Sequence, residues 1–90
     1  VACQKIELAV QDKRLNALYS SLKAASAKFG QAGELLVLGQ RQWMAYRDGW
    51  CAFEAGHDAP PNPEVNGLIC RIELTKTQAD RLDEQLEELR

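Results

Sequence analysis

The sequence is short of almost everything that announces chemistry. Its 90 residues include one histidine, one methionine and three cysteines. Cys3, Cys51 and Cys70 are far apart, so neither a zinc knuckle nor a thioredoxin-type Cys pair exists. His57 has no Ser or Cys partner at a readable spacing. There is no Gly-rich phosphate loop, no G-x-S-x-G and no H-E-x-x-H. The expectation is a non-enzyme with no metal and no cofactor. Basic residues are not in surplus either. The net charge is −2, which argues against nucleic acid as a partner. No apolar run approaches the roughly 18–20 residues that span a membrane. Strand-type alternation is missing throughout. All three prolines fall between Pro60 and Pro63, leaving the rest free to be helical.

What is present is helical periodicity. Leu8, Leu15, Leu18, Leu22, Ala25 and Phe29 recur in steps of seven, three and four, one face of a helix over about 2–28. Gly30 and Gly33 bracket a turn. A second helix is predicted over about 32–55, with the stripe Leu36, Gly39, Trp43, Tyr46, Trp50, Phe53. On this reading an aromatic seam is core, with Trp50 the best candidate for partial exposure, and Gly39 marks a close helix–helix approach. Gly56 to Gly67 is predicted to be a stiff, ordered loop. A third helix starts near Pro63 or Glu64 and repeats Leu68, Ile72, Thr75, Ala79, Leu82, Leu86, Leu89, a coiled-coil-like seam. The acidic stretch Asp80 to Glu88 is its solvated face. The predicted fold is all-α: one domain over residues 1–90, an antiparallel three-helix bundle with a Pro-rich loop between helices 2 and 3.

An up-down-up order brings Cys3, Cys51 and Cys70 to one end. Because Cys51 and Cys70 flank the loop, their disulfide is the expected staple, with Cys3 left over. Pairings of Cys3 with either, or three reduced core thiols, stay open from sequence alone. Asp12 and Asn16 lie four apart on helix 1. Asp12 is expected to pair with a basic residue such as Arg47. Asn16 is expected to hydrogen-bond a neighbouring helix or loop, and Arg47 either to stack on a ring or to meet a carboxylate.

These residues carry a resemblance. Asp12-x-x-Leu15-Asn16-x-x-Tyr19, and Gln40-Arg41-x-Trp43 followed by Arg47-Asp48-x-x-Cys51, resemble the two main signatures of the LprI-like lysozyme-inhibitor family. Cys70 followed by Leu74-Thr75 is similar to its third. The resemblance covers nearly the whole chain and implies a small exported helical protein of bacteria. Three departures stand out. The family's cysteine upstream of the Cys3 position is missing, its Gly-Gly-Ser type loop is Pro-rich here, and its third-helix Arg is Gln78.

The function expected from the resemblance is binding and blocking of a lysozyme-class hydrolase. The residues offered for insertion are His57, Asp58, Pro60, Pro61 and Asn62 of the stiff loop. The competing expectation is an envelope assembly protein joined to a partner through helix 2 or Cys3. A secreted or periplasmic location follows from the resemblance. The Val1 start suggests a trimmed product whose export signal has been removed.

Overall fold

The computed structural model describes all 90 residues as helices and short connections. Helix α1 spans Ala2–Ser26 and runs into a 3-10 turn, Ala27–Phe29; α2 spans Gln31–Gly56 and α3 spans Pro63–Glu88. No strand is present, and no helix is long and apolar enough to cross a membrane.

The two connections have different physical causes. Between α1 and α2 the chain reverses at one residue, Gly30, whose φ of 65° is favoured by the absence of a Cβ. Gly33, expected to close that turn, already lies in the first turn of α2. Between α2 and α3 only His57 to Asn62 are non-helical, a shorter stretch than Gly56 to Gly67. Asn62 Oδ1 accepts the Val65 N–H at 2.9 Å, and Pro63 follows at a position where no N–H is needed. Glu64 adds a carboxylate to the same first turn, where the helix dipole favours it.

Helix α3 is the hub. It packs most extensively on α1 and next on α2, while α1 and α2 meet much less. Arg14 of α1 pairs with Asp80 and Lys5 with Glu64, so α1 and α3 run parallel. Gln40 meets Gln78 and Cys51 meets Cys70, so α2 runs antiparallel to α3. The molecule is long and thin, 46 × 21 × 15 Å. Its apolar core is small: Leu15 and Leu22 of α1 against Ala79, Leu82 and Leu86 of α3. Leu18, Tyr19, Leu36, Trp43 and Leu89 pack around it. The α3 stripe read from the sequence is the one that points inward.

The α2 stripe is not. Tyr46, Trp50 and Phe53 are 54%, 44% and 58% exposed, so the expected aromatic core seam is overturned over this half of the helix. The buried positions are Gln40, Arg47 and Cys51, with Leu36 and Trp43 half-buried on the same side. Arg47 and Cys51 each follow an aromatic by one residue, a rotation of about 100° around the helix. The disulfide requires Cys51 to face α3, which turns its helix face inward and leaves the aromatic face outside. Phe29 is also exposed, because the 3-10 turn breaks the phase of the α1 stripe. Lys28 Nζ covers its ring at 5.4 Å.

The close approach assigned to Gly39 belongs instead to Gly67. A Cβ at Gly39 meets nothing within 4 Å, whereas one at Gly67 stands 3.3 Å from Ala55 Cβ. Gly39→Ala is therefore expected to stabilise by about 0.5–1 kcal/mol through helix propensity. Gly67→Leu is expected to cost about 1–3 kcal/mol by overpacking beside the cross-link. Urea unfolding midpoints that move the same way for both variants would contradict the assignment.

Candidate functional site

Four signature residues, Asp12, Trp43, Asp48 and Thr75, converge on one buried guanidinium. Arg47 is only 8% exposed. Its Nη1 donates to Asp12 Oδ1 at 3.1 Å and to Thr75 Oγ1 at 3.2 Å. Its Nε donates to Asp48 Oδ1 at 3.1 Å, and the guanidinium sits 5.3 Å from the Trp43 ring centroid. Arg71 approaches the same Asp48 oxygen at 3.6 Å. One side chain thereby ties α1, α2 and α3 together. Arg suits this position because its planar fork serves several acceptors and one face remains for an aromatic ring. Both readings open for Arg47, a carboxylate partner and a ring, occur together.

Thr75 is the residue that sequence reasoning left among the apolar stripe. It is fully buried, and a hydroxyl there needs a partner. A Thr within a Leu-rich seam was the available signal.

One helical turn or two away, Gln78 Nε2 donates to Gln40 Oε1 at 3.0 Å, both side chains buried. An uncharged amide pair thus joins α2 to α3 there. Leu15 is core and Tyr19 packs beside it. Arg41 is exposed. Asn16 is exposed as well, and no neighbouring helix or loop receives a hydrogen bond from it; the expected Asn16 contact does not form. It sits one position past Leu15, turned away from the face that packs on α3.

Cys51 and Cys70 form the disulfide, and Cys3 is a free, exposed thiol. Above the disulfide, the loop is held at several points. Asn66 Nδ2 donates to the Ala59 carbonyl at 2.6 Å, a tether the sequence reading did not anticipate. Asp58 adopts φ 58° and the Pro60–Pro61 bond is cis. His57, Asp58, Pro60, Pro61 and Asn62 are all exposed. The loop does not stand alone. His57 lies 5.3 Å from the Phe53 ring, Phe53 lies 5.2 Å from Trp50, and Trp50 stacks at 6.5 Å on Tyr46. Glu54 accepts the Trp50 indole N–H at 3.0 Å. The loop and an aromatic ladder on the outside of α2 make one continuous surface. No three His, Cys, Asp or Glu side chains come together as a metal-holding group.

The fold and these residues define a small, all-helical, disulfide-closed protein whose signature side chains mostly hold helices together. The chain belongs to the family described as Lysozyme inhibitor LprI, which matches over residues 1–82. This is an inhibitor family rather than an enzyme family. No curated protein and no solved structure matches the chain.

Proposed function

We propose that this protein is an exported, non-catalytic binding module that blocks a lysozyme-type cell-wall hydrolase. The family match over residues 1–82 carries the reading. The proposed contact surface is the loop His57 to Asn62 together with Trp50 and Phe53. Size supports using both. A stable protein interface covers about 800 Å² per partner, more than six loop residues offer. Large aromatic side chains are the usual energetic anchors of such surfaces. The disulfide and the Asn66 tether lower the ordering cost of the loop. A lysozyme-type cleft works through two carboxylates. A blocker fills that cleft and pairs with its basic rim, and Glu54, Asp58 and Glu64 supply carboxylates around the loop.

The test is a titration of chicken-type lysozyme with the oxidised protein, following peptidoglycan lysis. Stoichiometric loss of lysis is expected. Trp50→Ala, at an exposed position, is expected to weaken inhibition about ten-fold or more with an unchanged melting temperature. Full lysis in large excess of the protein would reject this target. A dimer that dissociates on reduction and disappears in Cys3→Ser would then favour the assembly role, since Cys3 is an exposed free thiol.

A further inference from the structure

At the end of the molecule away from the disulfide, a cleft opens between α2 and α3 beside the turn that joins α1 to α2. Its volume is about 530 Å³, within the ~300–1,000 Å³ of small-molecule sites. Its apolar wall includes Leu22, Phe29, Leu36, Trp43 and Leu89. The charge pattern of the lining is unusual for this chain. The protein carries 13 acidic residues, yet none lines the cleft, and the single charged side chain there is Arg81. Arg81 makes no ion pair. Its only side-chain hydrogen bond is a long one, Nη1 to Gln78 Oε1 at 3.4 Å. Gln40 and Gln85 add amides beside it. An apolar trough with one uncompensated guanidinium at its edge suits an apolar chain ending in a carboxylate.

We propose that this cleft is a binding site for a single-chain amphiphilic carboxylate, a fatty acid of medium length. The acyl chain lies along the trough between α2 and α3, which extends roughly 16 Å from Ala32 to Trp43 at 1.5 Å per residue. The carboxylate meets Arg81 as a charge-assisted pair. The site is separate from the loop surface and does not depend on hydrolase inhibition.

Calorimetric titration of the oxidised protein with laurate, below its micelle concentration, tests this. Saturable one-to-one binding is expected. Arg81→Gln, at an exposed position, is expected to weaken laurate about ten-fold while leaving uncharged dodecanol unaffected. Gly39→Leu places a side chain into the trough where a Cβ meets nothing within 4 Å, and is expected to abolish binding without lowering the melting temperature. The proposal is overturned by an absence of saturable heat with laurate. Equal losses for laurate and dodecanol in Arg81→Gln, or full binding in Gly39→Leu, would overturn it too. So would a protein dimer that closes the cleft, or binding to anionic vesicles without binding to laurate.

Discussion

Arg47→Ala is expected to lower the unfolding free energy by about 2–4 kcal/mol, from lost packing and an unpartnered buried hydroxyl. The Trp43 face loses its guanidinium, and Thr75 loses its donor inside the protein. The two carboxylates add less, because Asp12 and Asp48 are about half-exposed and water can replace the cation. Asp12→Ala alone is accordingly expected to cost about 1 kcal/mol or less, the range of partly solvated pairs. Arg47→Met keeps much of the volume without the charge and should fall between the two, since buried ion pairs often break even against hydrophobic replacements. For a 90-residue domain the total stability is of order 5–13 kcal/mol, so the alanine variant loses a large share. Urea midpoints for the three variants provide the check. If Arg47→Ala matched the parent, the guanidinium would not be holding the three helices together.

Opening the Cys51–Cys70 disulfide is the second large effect. The cross-link joins positions 19 apart, and in the chain-entropy model closing a loop of this size stabilises by about 3 kcal/mol. The core cannot absorb that loss easily, because only 12 of 90 residues are buried. With a shift of about 4–8 °C per kcal/mol for a domain this small, Cys51→Ser/Cys70→Ser is expected to melt about 12–24 °C lower. Reductant should lower the parent by a similar amount and leave the double variant unmoved. Cys3→Ser is the control, since Cys3 is not in the bond. A change of only a few degrees would mean that helix packing alone holds α2 on α3. The same double variant also loosens the base of the His57–Asn62 loop, so under the proposed function its titration against lysozyme should weaken alongside its melting temperature.

The elements of the fold were legible because helix formation leaves a one-dimensional trace. The fours and threes from Leu68 to Leu89 specify one face of α3, and that face is the buried one. The start of α3 was legible from the end of the proline cluster at Pro63, and the structure adds Asn62 as its cap. The disulfide was legible as the pair that flanks the proline cluster. The Asp12–Arg47 pair was also within reach. Both residues belong to distinctive signatures, and a buried Arg requires an acceptor.

The errors on α2 share one cause. Tyr46, Trp50 and Phe53 form as regular a stripe as the residues that are buried, and hydrophobicity favoured the aromatic one. The choice between two faces about 100° apart is made by what α2 must meet: a cysteine on α3, a carboxylate on α1 and a threonine on α3. Those partners are 19 to 35 residues away in sequence and leave no periodic mark on α2 itself. The close approach was misplaced at Gly39 for the same reason, since closeness between helices is a property of their packing. Asn16 is a different case. Its side chain is exposed, one position past Leu15 and off the face that packs on α3.

By itself, the sequence determined three helices, their direction along the chain, the inward face of α3 and the family, and it favoured Cys51 and Cys70 as the staple without choosing the pairing. These follow from local periodicity, capping and a distinctive set of side chains. Only the tertiary structure decided that Arg47 rather than the aromatic ladder faces inward, that the ladder continues into the loop, and that α2 and α3 leave a cleft marked by Arg81. Each depends on the rotation of one helix against another. That rotation is set by the summed contacts of distant residues, which no single helix encodes.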